Sequence, residues 1–424
     1  MKLKIVLVTA LALATQWICA QEGKMLTLEQ CRTMALENNK KIKAAQYEVD
    51  ASKQAAKAAN VSILPSFSSS LMGVHLGKPL SNLLPAQLGS GSIDVTQPVY
   101  VGGKIYNGRK AAAKAVEIYE GQKQLTVTEV LISVEKAYWQ VVQVKEKIRL
   151  TEKYRDMLQS LHEDLKNSYN AGLIYKNDLL KVGVNLNETN FNLVKANDGL
   201  TLAKLNLAQM LGMVNNVDFA VSDTIGDSYE MVSRPDQANL IDNRTEVKVL
   251  NKAIEVQKLQ TKIIKADLLP TVALTASGMT SLGKKINMTN GKDQMYTYYA
   301  MASVKIPLFD WGKTSKKARE QNFKVKEQQV QLEETKELLN LEIQNAYMSL
   351  NQSVKKVELS KLSLQQADEN LRLVNDRFKA GTIVGKDVQE AQAIWQQAYS
   401  NLIDAKIEYR INQAAYKKAK GELR

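Results

Sequence analysis

The stretch that decides the fold is 313–380, KTSKKAREQNFKVKEQQVQLEETKELLNLEIQNAYMSLNQSVKKVELSKLSLQQADENLRLVNDRFKA. It contains neither proline nor glycine. Proline in a helix interior costs about 3 kcal/mol and glycine about 1 kcal/mol, so nothing here interrupts a helix. Ile343, Leu350, Val357, Leu364, Leu371 and Phe378 recur at heptad spacing. The interleaved positions Ala346, Ser353, Ser360, Ala367 and Val374 are mostly small. An apolar period of about 3.5 residues predicts knobs-into-holes packing in a left-handed supercoil, with the small row letting a neighbouring helix approach closely. At a rise of 1.5 Å per residue such a helix spans roughly 100 Å, which predicts an elongated body.

The pattern occurs twice. Val127, Val130, Val134, Ala137, Val141, Val144 and Ile148 alternate in steps of three and four. At one constant offset, Val95, Pro98, Gly103 and Lys104 recur as Val304, Pro307, Gly312 and Lys313, and Ala137-Tyr138 recurs as Ala346-Tyr347. Ala171, Gly172, Ile174 and Asp178 recur as Ala380, Gly381, Ile383 and Asp387. Leu64-Pro65 matches Leu269-Pro270 at a shorter offset, so the segment between the prolines is longer in the second copy. The matches fall at breakpoints between elements, as in a duplicated unit.

Each copy reads helix, strand, loop, strand, long helix, tight turn, helix. The first helix is expected over 27–62, and its counterpart over 236–268 with a break near Asn243. The long helices are expected over 104–169 and 313–379. After the turns, Leu179, Val182, Leu186, Thr189, Leu193, Ala196, Leu200, Ala203, Leu207 and Met210 form one seam, and Val388, Ala391, Trp395, Ala398, Leu402, Ala405 and Tyr409 form another. The expected organisation is a first repeat over 21–212, a connector over 213–240 and a second repeat over 241–424. Helical-hairpin tips are expected at about 170–178 and 379–387, where glycine supplies the left-handed helix end. The fold class is mainly α with a small β part.

Composition narrows the function. The chain has 424 residues, 45% apolar and 24% charged, with a net charge of +13 and seven prolines. Pro65, Pro79, Pro85 and Pro98 fall in one window and Pro270 and Pro307 in another, with Pro235 between the repeats. Punctuation this sparse is unlike an α/β enzyme, and the apolar content is too high for a disordered chain. Residues 1–20 read as a secretory signal: Lys2 and Lys4, an apolar run from Ile5 to Ala14, then Ile18-Cys19-Ala20. Cys19 invites a lipoprotein reading, but Ile18 stands where a small residue is expected. Cleavage leaves Cys31 alone, so no internal disulfide is expected. The mature chain lacks a run of about 18 apolar residues, so no transmembrane helix is expected, and a β-barrel is left open. Lysines and arginines are interspersed with acids along the helices, so nucleic acid is not an expected partner.

The proline windows read as strands. Val272, Leu274 and Ala276 alternate with Thr271, Ala273, Thr275 and Ser277, and Tyr296 to Lys305 alternates likewise. Gly91 to Gln97 alternates through Ile93 and Val95, while Ser66 to Leu76 alternates poorly. The hairpins are expected at about 66–98 and 271–306. This pattern fits membrane-spanning strands and half-buried soluble hairpins equally. Four strands cannot close a barrel, so the membrane reading requires several chains. No enzyme, metal or cofactor is expected. His75 and His162 lack metal-ligand spacing, and Gly278 to Lys284 approaches a phosphate-binding loop but is followed by Lys285 where Ser or Thr is required. Met279, Met288, Met295 and Met301 suit apolar packing better than a soft-metal path.

The chain resembles the TolC family of outer-membrane efflux proteins over essentially its whole mature length. Leu26-Thr27-Leu28-Glu29-Gln30, Ala35-Leu36-Glu37-Asn38-Asn39 and Leu64-Pro65-Ser66 are similar to the family's opening. Asn243-Arg244-Thr245-Glu246 is similar to the start of its second repeat, with Thr245 where proline is common. Ala171-Gly172-Leu173 through Asp178, and Ala380-Gly381-Thr382 through Asp387-Val388, resemble its tip signatures. The resemblance implies a homotrimer with four strands per protomer in a twelve-stranded outer-membrane β-barrel and a long α-barrel across the periplasm. It implies a passive exit duct for efflux or type I secretion, contacting outer-membrane lipids and served by a periplasmic adaptor and an inner-membrane pump. The alternative is a soluble periplasmic coiled-coil scaffold.

The same resemblance places Asp387 and Glu390 in acidic rings at the periplasmic constriction. Acids in a first helical turn also simply complement the helix dipole, worth about 0.3–1 kcal/mol, and both readings stand. Asp178 matches a position that latches the closed tip. Phe378 and Ile383 stand where a tyrosine and an arginine are expected, leaving Arg377 as the substitute partner. Gly172-Leu173-Ile174 and Gly381-Thr382-Ile383 are the candidate adaptor-docking tips, with a plain connecting turn as the alternative. Lys104, Arg109, Lys110 and Lys114 open the first long helix, and Lys313, Lys316, Lys317 and Arg319 open the second. Cations there oppose the macrodipole, which points either to lipid headgroups and acidic neighbours or to a solvated basic face.

Overall fold

The structure, a computed structural model, describes residues 24–82, 84–213, 217–222, 226–235 and 237–423. The expected signal segment and Cys19 lie outside the described residues. In chain order the elements are β1 (Lys24–Leu26), α1 (Leu28–Asn38), α2 (Lys40–Val61), β2 (Ser66–His75), β3 (Gln87–Val101), α3 (Lys104–Asn170) and α4 (Lys176–Met210). They continue with β4 (Phe219–Val221), α5 (Gln237–Asp242), α6 (Thr245–Lys265), β5 (Thr271–Leu282), β6 (Gln294–Lys305), α7 (Lys313–Lys379) and α8 (Gly385–Ala419). The helix–strand–strand–long helix–helix unit is present twice.

Two compact units emerge, and each draws on both repeats. One comprises the described part of Met1–Ala44 with Gln124–Arg244 and Glu337–Arg424. The other comprises Ala45–Lys123 and Thr245–Lys336.

The first unit is helical. All seven seam positions of α8, from Val388 to Tyr409, are buried. Opposite them on α7, Leu350, Val354 and Val357 pack with Leu402, Ala405, Tyr409 and Tyr416. The matching α3 seam residues Val130, Val134, Ala137 and Val141 join Leu207 and Trp395 in the largest core cluster. That core includes a feature without a sequence signal: β1 and β4 pair in parallel, Lys24 opposite Phe219 and Leu26 opposite Val221. Leu26 is fully buried, and its carbonyl accepts a hydrogen bond from the Tyr138 hydroxyl at 3.2 Å.

The expected first helix is split. Asn39 turns to an extended ψ of 128°. Its Nδ2 donates to the Met210 carbonyl at 2.8 Å, and its Oδ1 accepts from the Lys41 amide at 2.9 Å. A side chain able to serve both roles offsets the backbone bonds lost at the break. In the second repeat the break falls between Asp242 and Thr245, next to Asn243.

The second unit holds a four-stranded antiparallel sheet in the order β2-β3-β5-β6, flanked by parts of α2, α3, α6 and α7. Its register is regular except at a bulge between Pro98 and Tyr100, where proline has no amide for the ladder. Sharp backbone turns return the chain to the helices. Gly102, at φ 64°, lies so close to the Ala266 carbonyl that a Cβ would meet its oxygen at 2.6 Å. Trp311 and Gly312 also have positive φ, 55° and 73°.

Candidate functional site

The register gives the sheet two chemically different faces, because directly paired residues share a face. On one lie Phe67 and Leu71 of β2, Ile93 and Val95 of β3, Val272, Leu274 and Ala276 of β5, and Tyr296, Tyr298, Ala300, Ala302 and Val304 of β6. Phe67, Leu71, Ile93, Tyr296 and Tyr298 are exposed in the single chain. The other face carries Ser66, Ser68, Ser70, Ser90, Ser92, Asp94, Thr96, Thr275, Ser277, Ser281 and Ser303, interspersed with Met72, Val74, Leu88, Met279, Met295, Tyr299 and Met301. Here the Ser92 hydroxyl donates to Asp94 at 2.7 Å and lies 2.8 Å from the Ser70 hydroxyl. The weak alternation of Ser66 to Leu76 reflects this run of serines. Among the described residues β2 pairs only with β3 and β6 only with β5, so both outer edges of the sheet are open.

No helix among the described residues is long and apolar enough to cross a membrane, which says nothing of strands. The stretch from Gly278 to Lys284 runs along β5 into the following turn, not into a helix.

Both helical-hairpin tips close in the same way. Gly172 and Gly381 adopt φ of 76° and 73°. The Leu173 amide donates to the Ser168 carbonyl at 2.9 Å and the Gly172 amide to Tyr169 at 2.9 Å. The Thr382 and Gly381 amides donate to Arg377 and Phe378 at 3.1 and 2.9 Å. These are paired Schellman bonds, which need the left-handed glycine. Leu173, Tyr175 and Val384 project into solvent, at 76%, 85% and 60% exposure.

Beneath these exposed residues the two hairpins share one apolar cluster: Leu158, Leu161 and Leu165 of α3, Val182 of α4 and Val388 of α8, with Phe378, Ile383 and Ile174 packed against it. Phe378 and Ile383, which lack the polar groups of the resembled latch, therefore serve as packing. Among the described residues Asp178 makes no side-chain bond, and Arg377 contributes its carbonyl, which accepts from the Thr382 amide and hydroxyl.

Asp387 and Glu390 are exposed in the first turns of α8. The Val384 amide donates to the Asp387 carboxylate at 3.3 Å, so this acid caps its own helix. Glu390 makes no such bond among the described residues.

The basic residues at the base of the sheet divide into paired and unpaired sets. Lys104 pairs with Asp267, Arg109 Nε donates to Asn60 at 2.8 Å, and Lys110 stands over the Tyr106 ring at 4.4 Å. Lys114 binds Glu117 and Glu255, and Lys252 binds Glu117 at 2.8 Å. Lys252 first, and Lys114 next, hold the Glu117 carboxyl below its usual range. Lys313, Lys316, Lys317 and Arg319 are exposed and form no ion pair among the described residues. Arg319 meets Lys262 and Lys265 of α6 around a cleft of about 580 Å³. Those α6 cations were not singled out by the sequence reading. Lys258, Lys262 and Lys265 follow helical spacing, but charges along an amphipathic helix ordinarily mark only its wet side.

A duplicated helical-hairpin unit with a four-stranded sheet, hydroxyl-rich on one face only, is the architecture expected of an outer-membrane exit duct. The family described as outer membrane efflux protein matches residues 32–213 and 238–422, and the chain belongs to it. It is 22% identical to the alkaline protease secretion protein AprF of Pseudomonas aeruginosa, over 89% of this chain and 80% of that one. It is 20% identical to the outer membrane protein TolC of Escherichia coli, over 79% of this chain and 69% of that one. The CmeC outer membrane channel of Campylobacter jejuni superposes with a TM-score of 0.80 at 16% identity, covering 93% of this chain and 85% of that one. The protein is thus an outer-membrane channel of the efflux and type I secretion class.

Proposed function

We propose that three copies of the chain form one passive duct, with the sheets joined edge to edge into a twelve-stranded barrel. The observation that carries this reading is the two-faced sheet with open β2 and β6 edges. In a bilayer each unpaired backbone group costs several kcal/mol, so β6 of one copy must pair with β2 of the next. The apolar face then meets lipid, and the serine-rich face lines the water path.

The helices support the same assembly. On α7, Leu338, Leu341, Met348, Leu359, Leu362 and Leu373 lie at spacings of 3, 7 or 11 residues, which keeps them on one side of the helix, and all are exposed in the single chain. Leu180, Val184, Phe191 and Val194 likewise lie on one side of α4 and are exposed. A further row of exposed apolar residues fits burial against another copy.

The duct would take its energy from an inner-membrane pump, through a periplasmic adaptor docked on the tips around Gly172-Leu173-Ile174 and Gly381-Thr382-Ile383. Asp387 and Glu390 from three copies would ring the constriction and favour cations when it is nearly closed. Asp178 and Arg377 would supply whatever polar contact the closed tips make.

Two measurements test the reading. The protein should fractionate with the outer membrane as a heat-modifiable trimer, and a soluble monomer would overturn it. In planar bilayers the reconstituted trimer should be cation-selective, and Asp387→Asn with Glu390→Gln should reduce that selectivity. Unchanged selectivity in the double variant removes the acidic rings and leaves the duct standing.

A further inference from the structure

We propose that the cleft between α3, α6 and α7 binds the phosphate-bearing headgroup of a glycerophospholipid from the periplasm-facing leaflet of the outer membrane. This inference rests on the outer-membrane reading above and adds a defined lipid site to it.

Position comes first. The cleft wall includes Gly102, directly after β3, and Leu269, just before β5, and the strand ends Val101 and Thr271 are paired. The cleft therefore sits at the base of the sheet, where spanning strands give way to helices. In the adjoining β6–α7 connection Phe309 and Trp311 pack edge to face at 4.8 Å, with exposures of 74% and 85%. Exposed aromatic rings at the end of a spanning strand mark the headgroup level of a bilayer.

Charge comes next. Lys262, Lys265 and Arg319 line the cleft, and among the described residues none has a carboxylate partner. The neighbouring acids are already engaged: Asp267 with Lys104, Glu255 with Lys114, and Glu117 with Lys252. Three uncompensated cations in one concavity favour an anion, and guanidinium and ammonium groups both suit phosphate oxygens.

The floor selects among anions. Ala266 and Ala318 are buried beneath the cations, and Leu268 and Leu269 flank them with 47% and 42% exposure. A free phosphate ion would leave this apolar surface wet. A lipid covers it with the first carbons of an acyl chain while its headgroup meets the cations.

The test uses the delipidated trimer in detergent, with phosphatidylglycerol binding followed by native mass spectrometry. Wild type should take up one lipid per chain. The variant Lys262→Gln/Lys265→Gln/Arg319→Gln should bind on the order of a hundredfold more weakly, at about fivefold per cation. Leu268→Gln, which keeps every charge, should also weaken binding. A control, Lys379→Gln/Lys386→Gln at the hairpin tip, should bind like wild type. Diacylglycerol, which lacks phosphate, should not bind, and inorganic phosphate at equal concentration should not compete. Undiminished binding by the triple variant, equal binding of diacylglycerol, or displacement by inorganic phosphate overturns the site. The same spectra report the trimer, so a variant that fails to assemble is recognised, and Leu268→Gln then decides. Wild type absent from the outer-membrane fraction would overturn the duct itself, whereas wild type in that fraction with no lipid preference overturns only the lipid site.

Discussion

Gly385 of α8 lies directly against Leu165 of α3, so that a Cβ on Gly385 would stand 2.8 Å from Leu165 Cδ2 and 3.0 Å from Cδ1. The contact joins the two helical hairpins near their tips, and Leu165 is 1% exposed. Close packing thus joins the two hairpins of one chain near their tips. Gly385→Val should force the hairpins apart, at a cost of about 1–3 kcal/mol for overpacking. Trimers reconstituted in planar bilayers should then show a higher closed-state conductance than wild type. An unchanged conductance would mean that this contact does not restrain the tips.

Phe191 is 67% exposed and Leu359 65% exposed, each on a helix whose opposite seam is already buried. Phe191→Glu or Leu359→Glu should therefore leave the chain folded and weaken the trimer. Sedimentation of the detergent-solubilised variants should show a larger monomer fraction. Trimers as stable as wild type would count against a packing role for the exposed rows.

Arg32 forms a charge-assisted bond with Glu135, whose side chain is 5% exposed, and a second with Glu29 at 2.8 Å. Among the described residues Arg32 Nε has no partner, so only the exposed Glu29 remains to compensate the guanidinium if Glu135 is lost. Glu135→Ala should destabilise the first unit by about 1.5–3 kcal/mol, the range for a hydrogen bond to a charged group, because Arg32 stays partly solvated and keeps Glu29. Glu135→Gln should cost less. Thermal unfolding followed by circular dichroism gives the comparison.

Asp310 caps α7, accepting from the Gly312 and Thr314 amides at 2.9 Å each. Hydrogen bonding from Thr314 is the main cause holding its carboxyl below the ordinary aspartate value. A carboxyl lowered in the folded state stabilises fully above its unfolded pKa, and that stabilisation is lost as pH falls through the folded value. Amide exchange at Thr314, corrected for its intrinsic pH dependence, should thus lose protection only below about pH 4. Asp310→Ala should remove the protection at neutral pH as well.

Leu173 and Val384 project from the tips without supporting the fold beneath them. Leu173→Glu and Val384→Glu should block export in cells while leaving trimer yield unchanged. Normal export by both variants would place adaptor docking elsewhere.

Much of this architecture could be read locally. Ile343, Leu350 and Val357, three heptad positions of the opening stretch, are buried, and α7 covers Lys313–Lys379 as its lack of glycine and proline required. The Schellman ends at Gly172 and Gly381 were equally legible, because each depends on one residue tolerating positive φ. The split at Asn39 was hidden, since its cause is the Met210 carbonyl, far away in the chain. The β1–β4 pair was hidden for the same reason, each strand being three residues long. At the site, Asp387 and Glu390 were visible as acids in a first turn. The α6 cations looked like any wet helix face, because sequence does not show which charges lack partners.

The sequence by itself determined the duplication, the long helices, their buried seams and the glycine turns. Each follows from periodicity or from the conformational range of one residue, both of which act over a few positions. Only the tertiary structure decided that α4 and α7 each carry a further row of exposed apolar residues, that Gly385 packs directly against Leu165, and that Lys262, Lys265 and Arg319 converge without an ion-paired acid among the described residues. Those outcomes depend on distances between groups remote in the chain. Sterics and Coulomb interactions act through space, so their result exists only once the chain has folded.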